Sequence, residues 1–189
     1  MKKFIALVLV MLMTGAAYAD ATFDLMKALQ QTPEKLTAKR VQSLLKRGAN
    51  VHYEDENGLT PLMHAFMNNA KTEVIKALLE AGADVDISDY AGNTVLMYAC
   101  MGKTNTKTEI VRMILEDGVN VNAQNKLGQS AIMCIAGNYW NDNAHEIARL
   151  LIEYGAYIDE TDNEGNGVLY YVNEDDEEMR EIIEHAPKG

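Results

Sequence analysis

Apolar residues recur along this chain in two alternating patterns. The first is a short run opened by a glycine: Gly58-Leu59-Thr60-Pro61-Leu62-Met63-His64-Ala65, then Gly92-Asn93-Thr94-Val95-Leu96-Met97-Tyr98-Ala99, then Gly128-Gln129-Ser130-Ala131-Ile132-Met133-Cys134-Ile135. A degenerate copy is Gly165-Asn166-Gly167-Val168-Leu169-Tyr170-Tyr171-Val172. The second pattern follows each of the first three copies, over Val74 to Gly82, Ile110 to Gly118 and Ile147 to Gly155. Its core positions, Val74, Ile75, Leu78 and Leu79 with Ile110, Val111, Ile114 and Leu115, have the spacing of one buried helix face. Self-similarity at a period of about 33 to 37 residues predicts a stacked repeat array.

Each period predicts the same parts. Asp55, Asp89 and Asn125 stand three residues before Gly58, Gly92 and Gly128, the signature of a tight turn. Thr60, Thr94 and Ser130 follow where a helix start needs a side-chain acceptor, and Pro61 suits the first helical position. A short first helix has Leu62, Leu96 and Ile132 in the core. A longer second helix ends at Gly82, Gly118 and Gly155, and an extended pair leads on to the next turn. The predicted full repeats are 55–88, 89–124 and 125–161, with atypical end units at 20–54 and 162–189. In the first end unit, Thr22 or Asp24 is expected to cap a helix carrying Phe23, Leu25, Met26, Ala28 and Leu29. Pro33 breaks it, and Thr37 to Arg47 forms a second helix with Val41, Leu44 and Leu45 inside.

The pattern resembles the ankyrin repeat across essentially all of the chain after residue 19. The family's Asp-x-x-Gly-x-Thr-Pro-Leu-His is met by Asp55 to Leu62, and its Gly-Ala-Asp-Val-Asn by Gly82-Ala83-Asp84-Val85-Asp86, with echoes at Val119 to Asn122 and Ala156 to Asp159. The resemblance implies an all-α solenoid of helix-turn-helix units joined by β-hairpin-like loops. Two departures stand out. Met63, Met97, Met133 and Tyr170 replace the family's His, so a hydrogen bond is expected to be lost at each turn. The repeats are also long. The distance from closing to opening Gly is 10 residues each time, and the second helix takes 8, but the first-helix segment grows from 16 to 18 to 19. The insertions therefore lie between the two helices of a repeat, where loops in series form a surface suited to function.

Lys2, Lys3, the apolar run Phe4 to Met13 and Ala17-Tyr18-Ala19 have the layout of a secretory signal with cleavage after Ala19. Ten apolar residues are about half of the ~20 that a membrane span needs, so no membrane anchor is expected. The Met-Lys-Lys start resembles bacterial leaders and points to the periplasm. Without Lys2 and Lys3 the net charge falls from -11 to -13. Such a chain repels nucleic acid, and the charge either serves solubility or selects a partner with a basic patch. Cys100 and Cys134 lie in neighbouring repeats at non-equivalent helix positions. They are expected to be buried thiols acting as small hydrophobes.

No catalytic pattern is visible, and the chain reads as a non-enzyme with no cofactor or metal site. His52, His64, His145 and His185 fall in different units without ligand spacing. Asp84 and Asp86 fit turn bonding, and Glu174 to Glu178 fit a helix N-terminus. The family binds proteins through its hairpin tips and the concave face of its first helices. By position that implies Glu56, Asn57 and Leu59; Tyr90, Ala91 and Asn93; Lys126, Leu127 and Gln129; and Asn163, Glu164 and Asn166. Leu59, Tyr90 and Leu127 are expected as exposed apolar tips. Met67 and Met101 reach the concave side. Tyr139 and Trp140, in the longest insertion, either anchor a partner or fold back over the enlarged stack. The expected role is that of a monomeric exported scaffold for a protein partner, as inhibitor or immunity partner of a secreted toxic enzyme, or as helper of a stress enzyme such as catalase. The alternative is a small-ligand or haem carrier using Met, Tyr or His groups.

Overall fold

The structure is a computed structural model that describes residues 20–102 and 107–187. The signal-peptide reading falls on residues 1–19, outside the described residues. The fold is all-α, as the periodicity predicts. Residues 20–31 form α1. There follow α2 (Ala38–Lys46), α3 (Pro61–Met67), α4 (Thr72–Glu80), α5 (Val95–Met101), α6 (Thr108–Glu116), α7 (Ala131–Ala136), α8 (Ala144–Glu153), α9 (Val168–Tyr171) and α10 (Glu177–Glu184). Extended pairing among the described residues is limited to the isolated bridges Ser88 with Thr94 and Thr161 with Gly167.

The chain divides into two compact units. The first comprises residues 20–55 and 60–83. In it α4 packs on α2 and α3, burying Val41, Leu44, Leu62, Met63, Phe66, Val74 and Leu78. Thr60 caps α3 as expected, its Oγ1 accepting from the Met63 N–H at 3.3 Å, with Pro61 in the first turn. Neither Thr22 nor Asp24 caps α1, because helix is already running at residue 20. Their side chains tie the unit together instead. Thr22 Oγ1 accepts from the Asn50 N–H at 2.9 Å, and Asp24 faces Arg47 at 3.5 Å. Phe23, assigned to the apolar face of this helix, is largely exposed.

The second unit comprises residues 56–59 and 84–187. Its first helices stack as α5 on α7 on α9, and its second helices as α6 on α8 on α10. Leu96, Met97, Ile132 and Met133 fill the space between stacked first helices, each no more than 1 % exposed. Thr94 caps α5, with Oγ1 3.2 Å from the Met97 N–H. Ser130 does not cap α7: its Oγ is buried and has no hydrogen-bond partner. Asp176 caps α10, accepting from the Met179 N–H at 2.9 Å, and Glu177 and Glu178 occupy its first turn. This agrees with the helix-terminus reading of the acidic run. Two of these acids also bind α8, Asp176 to His145 at 2.8 Å and Glu178 to Arg149 at 2.9 Å.

Cys100 and Cys134 are free thiols. Cys100 is buried and Cys134 partly so, and burial pushes both upward from the usual thiol range, Cys134 to about 12.

Candidate functional site

The hairpin tips of the second unit are joined to one another by backbone. The Tyr90 N–H donates to the Asn57 carbonyl at 3.0 Å, Lys126 to Ala91 at 2.9 Å and Asn163 to Leu127 at 3.0 Å. Each turn is closed from within by the side chain three residues before the glycine. Asp89 Oδ1 accepts from the N–H groups of Ala91 and Asn93, both at 2.8 Å. Asn125 and Asp162 do the same for their turns. This is the Asx geometry that the Asp-x-x-Gly spacing predicts.

The glycines serve this contact twice over. Gly128 has φ +78°, a conformation that costs other residues energy. A Cβ there would also lie 2.7 Å from the Asn163 nitrogen and 2.7 Å from its Oδ1. Gly165, in the last turn, has φ +85° but open space around the same position. What distinguishes the two is a following tip.

Behind the tips runs a second ladder, made of side chains. The Tyr98 hydroxyl donates to Asp89 Oδ2 at 2.6 Å, and the Asn93 amide donates to the same oxygen at 2.9 Å. The Asn125 amide donates to Asn93 Oδ1 at 2.8 Å and to Gln129 Oε1 at 3.1 Å. Gln129 donates to the Tyr171 hydroxyl at 3.3 Å, and that hydroxyl donates to Asp162. Partial burial pushes the Asp89 carboxyl upward, but the hydrogen bonds from Tyr98, Asn93 and Ala91 outweigh it and the net shift is downward. The Tyr171 hydroxyl, followed by the amides of Asn166 and the Glu164 N–H, holds Asp162 down to about 2. Burial, then the Asp162 carboxylate, raises Tyr171.

This ladder corrects one expectation. Replacing the family's His by Met does not abolish the turn-to-helix hydrogen bond. The next residue makes it: His64 Nε2 lies 2.8 Å from Asp55 Oδ2 in the first unit, and Tyr98 and Tyr171 serve Asp89 and Asp162 in the second. One helix residue is a rotation of about 100°, which turns the polar group from the inter-repeat space toward the acid of its own turn. Only Cys134 breaks the series, and there Asn125 turns to its neighbours Asn93 and Gln129. The clue in the sequence was the in-phase pairing of Asp55, Asp89 and Asp162 with a bonding residue nine positions on.

The expected contact residues separate into two groups. Tyr90, Leu127, Tyr139 and Trp140 are each at least 60 % exposed. Trp140 and Tyr139 face solvent with ring centroids 4.7 Å apart, so the pair does not fold back over the stack. Their loop is anchored by Asn138, whose buried amide donates to the carbonyls of Cys100 at 2.7 Å and Gly102 at 2.8 Å. Glu56, Asn57 and Lys126 are exposed, and Met67 and Met101 partly so, one in each compact unit. Leu59 is a correction. It is 8 % exposed, buried and not presented at a tip. Asn93 and Gln129 spend their side chains on the ladder and are half-buried, so they position the tips more than they face outward. Asp84 Oδ1 accepts from the Asp86 N–H at 3.0 Å, the expected turn bond. Among the described residues no group of three His, Cys, Asp or Glu side chains is arranged to hold a metal.

Helix pairs stacked in register, with turn tips bonded from one repeat to the next, define a repeat scaffold that works through its surface. The chain belongs to the ankyrin-repeat family: residues 25–125 match the family's model of ankyrin repeats in three copies, and residues 127–163 match its single ankyrin repeat. Ankyrin repeats are protein–protein interaction scaffolds, generally without catalysis. No curated protein matches the chain.

Proposed function

We propose that this ankyrin-repeat protein is exported to the periplasm and binds a basic protein partner through the tips and the α7–α8 loop of its second unit. The observation that carries this reading is the exposed Trp140–Tyr139 pair on a loop fixed by Asn138. Large aromatic side chains held rigidly in solvent provide contact area at small ordering cost, and they dominate binding energy where partners meet. Tyr90 and Leu127 add two exposed apolar groups on tips whose backbones are already hydrogen-bonded. Export is supported by the charged start, short apolar run and Ala17-Tyr18-Ala19 of the leader. The net charge of -11 supports a partner with a basic surface, such as an enzyme whose cationic cleft this protein blocks.

The test is a pull-down from periplasmic extract with the wild-type chain and a Trp140→Ala, Tyr90→Ala variant. A stoichiometric partner should be retained by the wild type and lost by the variant, with melting temperatures within a degree or two. A variant that unfolds well below the wild type would place these side chains in structural contacts and sink the proposal.

A further inference from the structure

The net charge is not spread along the chain. Residues 142–189 hold 14 of the 28 acidic residues but 3 of the 17 basic ones, so this last quarter alone accounts for the whole -11. The same segment holds the last described helix pair of the second unit, α9 and α10. Repeat equivalence shows which of its positions are exposed. Leu169 corresponds to Leu96 and Ile132, and Tyr170 to Met97 and Met133. Those four are no more than 1 % exposed, whereas Leu169 is 39 % and Tyr170 69 % exposed. In the preceding repeats a further first helix covers these positions, α7 over α5 and α9 over α7. Among the described residues α9 packs on α7 and α10, and no further first helix lies over Leu169 and Tyr170.

The outer side of α10 is polar: Glu177, Glu181 and Glu184 are exposed, with Arg180 its one basic residue. The exposed α9 residues Leu169 and Tyr170 are apolar instead. Tyr170 is held edge-on against Tyr171, 5.5 Å between centroids at 86°. Tyr171 in turn is fixed by Asp162 and Gln129. Glu174 and Asp175 stand exposed in the turn that follows. An apolar face followed in the chain by exposed carboxylates favours a cationic occupant and repels an anionic one. A second copy docked face to face through the same surface would oppose the two most acidic regions of the chain.

We propose that the exposed face of α9, built on Leu169 and Tyr170 beside Glu174 and Asp175, is a docking surface for a cationic protein segment that brings an apolar side chain onto the two residues and Lys or Arg onto the carboxylates. This rests on the chain being a protein-binding scaffold but uses a surface separate from Tyr90, Leu127 and Trp140.

The experiment is a titration of the full 15N-labelled chain with a short amphipathic helical peptide of Lys and Leu, and with its Glu and Leu counterpart. The expected result is saturable amide shifts centred on residues 167–176 with the cationic peptide only, weakening as salt is raised. Tyr170→Ala and the charge reversal Glu174→Lys should each weaken binding by about tenfold, and Tyr90→Ala should leave it unchanged. Both replaced side chains are exposed, so the variants should fold. Shifts centred on Tyr90, Leu127 and Trp140 would overturn the α9 proposal while supporting the tip surface. Equal binding of the anionic peptide, or no saturable shift, would overturn it without touching the tip reading. A doubled molar mass by light scattering, lost in Tyr170→Ala, would overturn it in favour of a second copy.

Discussion

Replacing Gly128 by Ala, with Gly165→Ala as its partner experiment, tests whether contact between neighbouring tips holds the second unit in register. Both glycines have left-handed backbone, φ +78° and +85°, so either alanine pays about 1–2 kcal/mol for its Cβ in that conformation. For Gly165 the loss should stop there, because no atom lies within 4 Å of the new Cβ. For Gly128 the new methyl meets the Asn163 nitrogen and Oδ1 at 2.7 Å and the Asp162 carbonyl carbon at 3.0 Å, two of them backbone atoms. Relieving those overlaps moves the last tip away and costs about 1–3 kcal/mol. It also stretches the bond from the Asn163 N–H to the Leu127 carbonyl, about 1 kcal/mol more. Gly128→Ala should therefore lose about 3–6 kcal/mol against about 1–2 for Gly165→Ala. Urea denaturation followed by circular dichroism measures both. Amide exchange at Asn163 adds a local reading, faster in Gly128→Ala and unchanged in Gly165→Ala. Equal losses in the two variants would refute the reasoning, since only backbone conformation would then matter.

Two further outcomes follow from the ladders. Tyr171→Phe removes the hydroxyl that leads in holding Asp162 near 2, so a carboxyl NMR titration should show the Asp162 pKa rising toward the ordinary 3.8. Its lowered folded value contributes stability that is full above about pH 4 and fades as pH falls toward 2; the variant should lose that pH dependence, and an unmoved pKa would refute the assignment. Asn138→Ala leaves the buried carbonyls of Cys100 and Gly102 without this donor and should cost about 1–3 kcal/mol in denaturant titrations, with Trp140 fluorescence more readily quenched as its loop loosens.

The repeat architecture was legible in the sequence because it is written in spacing. Glycines in phase, a Thr or Ser before the first helix of each full repeat and paired apolar residues in each second helix are signals that recur at fixed spacing. Thr60 and Thr94 cap as expected, but Ser130 carries the same signal and does not. The capping bond depends on where the hydroxyl points, and a buried Ser can point elsewhere. Leu59 was misread because a position beside an exposed tip can still turn inward; the alternation of a two-residue turn is too short to show a face. Trp140 could not be placed because an insertion has no repeat equivalent to compare it with. The anchor that exposes it, Asn138, is a single amide reaching two carbonyls 36 and 38 residues back, and no local pattern announces a contact of that range.

The shift of the polar residue by one position has a consequence for how repeats recognise one another. With Met97 and Met133 at the position where the family places His, apolar side chains fill that position between stacked first helices, and both Met residues are no more than 1 % exposed. Apolar packing of this kind is strong but tolerant, since Met adapts to irregular gaps. Register needs something more selective. It is provided along the half-buried edge, where Asn93 meets Asn125 and Gln129 meets Tyr171, each pair linking one repeat to the next. A slip of one position would leave these amides unmatched, at a cost of about 1–3 kcal/mol for each stranded group. The tips are thereby fixed relative to one another before any partner arrives. The proposed binding through Tyr90 and Leu127 then need not bear the ordering of its own backbone. The same substitution that removes polarity from the space between first helices thus moves it to the edge, where it sets the alignment of the tips.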